Sequence, residues 1–208
     1  MAFRISRLFS TLALALLLVL LGTFAPSRPV YAYASSPALP ILNQFISRLK
    51  DGEAARLRGL YIPKVLAAPI VQQPIGQYGF VSPRPGVLTQ FSLPLKYEAT
   101  GLLAHNYLAG ASFGLLSRGQ ILYLVYGDGR AARFVIREIQ EYRALDPQSE
   151  TSTFEDLRSG SLFTAREMLE RIYNRPGQLI LQTCISRGNE PAWGRIFILA
   201  EALPAQAR

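Results

Sequence analysis

From Gly59 to Ala200 the chain is a succession of short apolar runs, each cut off by Gly, Pro or a polar turn, and this texture commits most of it to strands. Leu60-Tyr61-Ile62 and Val65 to Val71 are two such runs, followed by a Gly-, Pro- and Ser-rich stretch from Pro74 to Pro94 that reads as loop. Ile121 to Tyr126 is a continuous apolar strand, Gly127-Asp128-Gly129 a turn, and Phe134-Val135-Ile136 with Ile139 and Tyr142 the returning strand of a hairpin. Leu179 to Cys184 and Ile196 to Ala200 are two further strands, the second entered by Trp193-Gly194-Arg195. Many short strands with few helices imply a mainly β fold, a closed or nearly closed β-barrel.

Helical signals are confined to two places. Ile41, Leu42, Phe45, Ile46 and Leu49 recur at helical spacing, which predicts an amphipathic N-terminal helix from about Ile41 to Leu57. Thr164-Ala165-Arg166-Glu167 has the spacing of a capping box and predicts a helix running to about Tyr173, stopped before Pro176-Gly177. Between the hairpin and this helix, Ala144 to Gly160 is polar and is expected to be an exposed loop.

The first 34 residues have a different character. Arg4 and Arg7 precede an apolar core from Leu12 to Leu21, and Ala32-Tyr33-Ala34 places small residues where a signal peptidase cuts. The apolar stretch from Leu8 to Ala25 counts 18 residues, just enough for a retained membrane anchor. Residues 1–34 are therefore a cleaved signal peptide or an anchor, 35–58 a linker with the amphipathic helix, and 59–208 the barrel. Either way the barrel is expected outside the cytoplasm, secreted or held at the cell surface.

Composition excludes several chemistries. One Cys forms no internal disulfide, and one Cys with one His does not supply the four ligands of a structural zinc site. Asp146, Glu150, Glu155 and Asp156 lack the spacing of a calcium loop, so no metal and no cofactor is expected. Of the 22 basic residues, Arg4, Arg7 and Arg28 precede residue 35, where no acid occurs, so the remaining 19 against 14 acids leave +5. That excess describes a solvated mixed-charge surface, and no nucleic-acid partner is expected.

Three side chains have chemistry to offer. Cys184 ends a strand and is either a buried small hydrophobe or a nucleophile, since a thiol attacks only as thiolate and needs partial exposure. His105 follows the apolar segment Gly101 to Ala104 and carries the one imidazole, the side chain that exchanges protons near neutrality. Arg195 begins the strand after Cys184, eleven positions on, and beside a thiol it would donate to a developing oxyanion. The order His, Cys, Arg excludes papain-like enzymes, in which Cys precedes His. Gln182-Thr183-Cys184-Ile185-Ser186 fails the caspase signature. A gap of 79 residues between His105 and Cys184 excludes the compact motif of L,D-transpeptidases.

The sequence resembles the sortases, exported cysteine transpeptidases of Gram-positive and related bacteria. Leu60-Tyr61-Ile62-Pro63-Lys64-Val65 with Pro69-Ile70-Val71 is similar to their first barrel strands. His105, Phe113, Leu116 and Gly119-Gln120-Ile121 follow the segment around their histidine, and Leu181-Gln182-Thr183-Cys184 matches the L-x-T-C core of their cysteine motif. Ile180, Ala104 and Gln120 depart from the Thr, Gly and Asp common at those positions. The resemblance spans about residues 59–200 and leaves the subclass open.

It implies a closed sortase-like barrel with one or two short helices in its connections, and a monomer. It further implies that Cys184 attacks the carbonyl of a Thr-like residue in an L-P-x-T-x sorting signal, that His105 shuttles the proton, and that Arg195 steadies the oxyanion. Thr183 and Trp193 would contact substrate, each with a plainer reading as strand residue and structural anchor. The implied partners are exported proteins bearing the signal and an amine acceptor, a cell-wall peptide or a pilin lysine, at the membrane or cell envelope. Loops within Gly76–Pro94 and Ala144–Gly160 would line the groove.

Overall fold

The computed structural model of the chain describes residues 39–149 and 151–204. The signal peptide or anchor read in residues 1–34 lies outside the described residues. Ten strands run β1 (Leu57–Ile62), β2 (Leu66–Gln72), β3 (Leu88–Phe91), β4 (Thr100–Leu103), β5 (Ile121–Tyr126), β6 (Ala131–Ala144), β7 (Phe154–Asp156), β8 (Leu162–Phe163), β9 (Leu179–Arg187) and β10 (Glu190–Ala202). Two α-helices accompany them, α1 (Leu42–Leu49) and α2 (Ala165–Tyr173), with 3₁₀ turns at Leu93–Tyr97 and Ala109–Leu115.

Eight of the strands close on themselves. The order is β10-β9-β4-β3-β2-β1-β5-β6, and β6 pairs again with β10, while β7 and β8 extend from the outer end of β6. Most pairs are antiparallel; β2 with β3 and β4 with β9 are parallel. The closed mainly β barrel expected from the strand texture is thus the observed architecture, and closure removes the exposed edges an open sheet would present.

Two apolar cores explain the burial. The inside of the barrel is filled by alternate residues such as Leu60, Ile62, Leu102, Leu122, Leu181 and Ile198. A second core lies on the outer face, where α2 and β7 cover Ile180, Phe197 and Leu199 with Ile172, Tyr173 and Phe154. Strand β9 is buried on both faces over Leu179 to Leu181, which is why it reads as an unbroken apolar run rather than an alternating one.

The predicted capping box is present. Thr164 accepts from the Glu167 N–H at 3.2 Å, and the Glu167 carboxylate accepts from the Thr164 N–H at 2.8 Å. That backbone donor and the Thr164 hydroxyl hold the Glu167 carboxyl below its ordinary value. A carboxyl lowered on folding stabilises the fold above its ordinary range and loses that contribution as the pH falls through the folded value. Thr164→Ala is expected to cost about 1 kcal/mol in urea unfolding at neutral pH. The margin of the natural chain over Glu167→Ala should narrow on acidification.

Three expectations need correction. Helix α1 stops at Leu49 rather than Leu57, because the N–H groups of Asp51 and Gly52 both donate to the Gly127 carbonyl in the β5–β6 turn and pull the chain off the helical path. The Pro74–Pro94 loop contains β3, paired with β2 and β4. The polar stretch Ala144–Gly160 is not wholly exposed: Ser152 and Phe154 are buried and β7 pairs with β6. Helix α1 itself packs on β1 through Gly59, where a Cβ would collide with Phe45 and Leu49, and Phe45 lies 5.9 Å from the Tyr61 ring.

Candidate active site

The antiparallel register of β9 and β10 puts Arg195 directly opposite Cys184. Directly opposed residues project from the same face with their Cβ atoms about 5 Å apart. That face is the outer one, shared with the opposed pairs Gln182 with Phe197 and Ile180 with Leu199. Cys184 is half-buried and unpaired, so its sulfur is not sealed in the interior.

His105 follows β4, which pairs with the other side of β9. Strand β4 runs parallel to β9 with Leu103 beside Gln182, and the pairing continues through the Ala104 N–H to the Gln182 carbonyl at 3.3 Å. Two residues past Leu103, at the level two residues past Gln182, stands His105. Its carbonyl accepts from the N–H groups of Leu108 at 3.0 Å and Gly110 at 3.1 Å, which turns the chain into the 3₁₀ segment. A Cβ at Gly110 would collide with that carbonyl and with the Thr183 hydroxyl, so the turn requires glycine there. The imidazole is half-buried and stacks on the exposed ring of Tyr107 at 5.1 Å and 19°. Asn106 ties the same loop to the β9–β10 hairpin, donating to Ser186 at 2.6 Å and to the Pro191 carbonyl at 2.8 Å.

Thr183 and Trp193 take other places than the groove. Thr183 is 5% exposed and faces away from Cys184, donating its hydroxyl to the Ala104 carbonyl at 2.7 Å. It joins β9 to the residue before His105. Thr183→Val would leave a buried carbonyl without its donor, at about 1–3 kcal/mol, and would loosen the imidazole; the expected result is a lower melting temperature with a larger fall in turnover than in peptide binding. Trp193 lies in the hairpin, its ring 4.8 Å from the Arg187 guanidinium, and is not among the residues lining the groove.

The groove is an open cavity of about 620 Å³ on the outer face. Its floor is Leu103, Gln182 and Phe197; α2 supplies Met168, Leu169 and Tyr173 on one side, and the 3₁₀ turn supplies Leu93 and Lys96. Tyr78 and Ser149 contribute from the two loops expected to line it. Arg195, opposite Cys184 in the register, also lines it; Cys184 and His105 themselves are not among its lining residues. The guanidinium donates through Nη1 to the carbonyls of Ala192 and Gly194, both at 2.9 Å, and its carbon lies 6.0 Å from the Phe154 ring. Among the described residues it has no carboxylate partner, and no cluster of three or more His, Cys, Asp or Glu side chains is placed to hold a metal.

Two groove residues carried no local signal. Gln182 is the variable position of the L-x-T-C motif, and Tyr173 is the last residue of α2; the Tyr173 hydroxyl donates to the Gln182 side-chain oxygen. Burial pushes the Tyr173 phenol up, so it stays protonated and acts as the donor.

No family model matches the chain, and no curated protein matches it. Solved structures similar to it are sortases of the A and C types. Sortase A from Corynebacterium diphtheriae is 12% identical with a TM-score of 0.44 over 72% of this chain, which spans 61% of that one. Sortase A from Listeria monocytogenes is 10% identical with a TM-score of 0.43, covering 74% of this chain and 89% of that one. Sortase C-1 from Actinomyces oris is 15% identical with a TM-score of 0.44, covering 84% of this chain and 86% of that one.

Proposed function

We propose that the chain is a sortase-type cysteine transpeptidase acting outside the cytoplasm on a C-terminal sorting signal of other exported proteins. The observation that supports this reading is the opposition of the single thiol, Cys184, to Arg195 across β9 and β10, with β4, the strand that leads to the single imidazole, paired on the other side of β9.

The Cys184 thiol gives its proton to His105 and the sulfur adds to the scissile carbonyl carbon of an L-P-x-T-x segment lying in the groove. Negative charge gathers on the carbonyl oxygen, where the free N–H groups of Arg195 meet it. As the tetrahedral centre collapses the carbon–nitrogen bond breaks, and the departing amine takes the proton from His105. The thioacyl-enzyme is then attacked by an acceptor amine, which loses its proton to His105, and the carbon–sulfur bond breaks to release the joined product and the thiol.

Incubating the full chain with such a peptide and a glycine oligomer should give the ligated product by mass spectrometry. Hydrolysed peptide alone would make the protein a thiol peptidase, with water resolving the same intermediate. A binding module without catalysis differs earlier. Half-burial of Cys184 favours reaction with a methanethiosulfonate reagent in the folded protein, at a rate that His105→Ala should change. A thiol inert until denaturation would reject the enzymatic reading.

A further inference from the structure

The loop after β4 is tied to the β9–β10 hairpin by one side chain, and the tie leaves an acceptor open. Asn106, the neighbour of His105, commits both hydrogens of its carboxamide to the hairpin: Nδ2 donates to the Ser186 hydroxyl at 2.6 Å and to the Pro191 carbonyl at 2.8 Å. Ser186 donates in turn to that same carbonyl at 3.2 Å. A carbonyl only accepts, so the group facing Pro191 is the NH₂, and the orientation of the amide is settled. Its Oδ1 accepts nothing among the described residues and is open to solvent.

This side chain stands on the opposite side of Cys184 from the groove. The strand residues on the groove floor, Leu103 and Gln182, precede His105 and Cys184 on β4 and β9. Ser186 follows Cys184 by two residues on the same face of β9, about 6.6 Å along the strand. The product of transfer is one continuous chain; with its acyl part in the groove, its acceptor part continues past Cys184 toward Ser186. The attacking nitrogen bonds to the thioacyl carbon beside the sulfur, and each extended residue beyond it spans about 3.5 Å. The next backbone nitrogen of a peptide acceptor therefore comes within a hydrogen bond of the Ser186 level, where Asn106 is anchored. There a peptide offers an N–H. An amine on an alkyl chain offers methylenes instead, which would take water from Oδ1 and give it no donor.

Resting on the reading proposed above, we infer that Asn106 is a specificity-determining residue for the acceptor: its Oδ1 accepts the N–H of the first peptide bond after the attacking amine, and so selects the α-amine of a peptide over an amine on an alkyl chain. The hairpin contributes by holding the carboxamide with its NH₂ inward.

The test starts from thioacyl adduct formed on Cys184 of the full chain with a sorting-signal peptide, and follows its discharge by intact mass with three acceptors. These are triglycine, glycyl-sarcosyl-glycine, which has the same primary amine but no N–H at the first peptide bond, and α-N-acetyl-lysine amide. Triglycine should discharge the adduct about tenfold faster than either of the others, the size expected for one hydrogen bond made or left unmade. Asn106→Ala should remove that margin. Because all three amines meet the same thioester and the same base, the ratio of their rates is insensitive to any shift of the His105 loop in the variant. Ser186→Ala loosens the same tie but keeps the carboxamide bonded to Pro191, and should keep the margin. Equal rates in the natural chain, a preference for triglycine shared by glycyl-sarcosyl-glycine, or a margin unchanged in Asn106→Ala would overturn the inference and leave the transpeptidase reading intact. So would loss of the margin in Ser186→Ala as complete as in Asn106→Ala, which would assign it to the tie itself. No adduct, or an adduct that only water discharges, would remove the transpeptidase reading and the inference with it.

Discussion

Cys184→Ala should abolish turnover and thioacyl formation altogether while leaving the barrel folded. The thiol is the only group in the proposed sequence that forms a covalent bond to substrate, and the other members of the site contribute nothing without it. Its removal is mild for the fold, because Cys184 is half-buried in the second half of β9, beyond the doubly covered stretch Leu179 to Leu181. Near-natural urea and thermal unfolding curves are therefore expected alongside activity at background. Residual turnover within a few fold of the natural chain would show that the nucleophile lies elsewhere.

Arg195→Lys should lower kcat/KM by about 10² to 10³, the range for losing a principal oxyanion donor. The guanidinium is held in place by the carbonyls of Ala192 and Gly194, bonded through one nitrogen, which leaves its other N–H groups for the substrate. A lysine ammonium satisfying the same two carbonyls has no planar fork left to aim. The loss should fall mainly in kcat, since the charge develops in the transition state. Turnover close to natural in the lysine variant would contradict the assigned role.

Most of the barrel could be read from local pattern, because strands covered on one or both faces carry their burial in their own residues. The β5–β6 hairpin and α2 fall where turn and capping chemistry predict them. The sequence after Leu49 remains helix-compatible, and the cause of the end of α1, the Asp51 and Gly52 N–H groups donating to the Gly127 carbonyl, lies far along the chain. Strand β7 escaped because one buried aromatic, Phe154, in a polar stretch has no period to detect.

The site divides in the same way. The adjacency of Cys184 and Arg195 follows from a short hairpin, and eleven residues of separation suggest it. The approach of His105 depends on the parallel pairing of β4 with β9, which joins segments 79 residues apart and leaves no trace in either one; the family resemblance supplied it. Thr183 is next to Cys184 in sequence, but strand alternation turns it to the opposite face, where its hydroxyl donates to the Ala104 carbonyl just before His105. The pairing of Gln182 with Tyr173 joins a strand to the end of a helix and leaves no local pattern in either segment.

The most direct test of the account is an intact-mass measurement on the full chain mixed with a sorting-signal peptide and no amine acceptor. A gain equal to the acyl fragment, present in the natural chain, absent in Cys184→Ala and discharged by an added amine, is the predicted result. A chain of unchanged mass whose peptide is nevertheless cleaved, or an adduct that persists in Cys184→Ala, would contradict it.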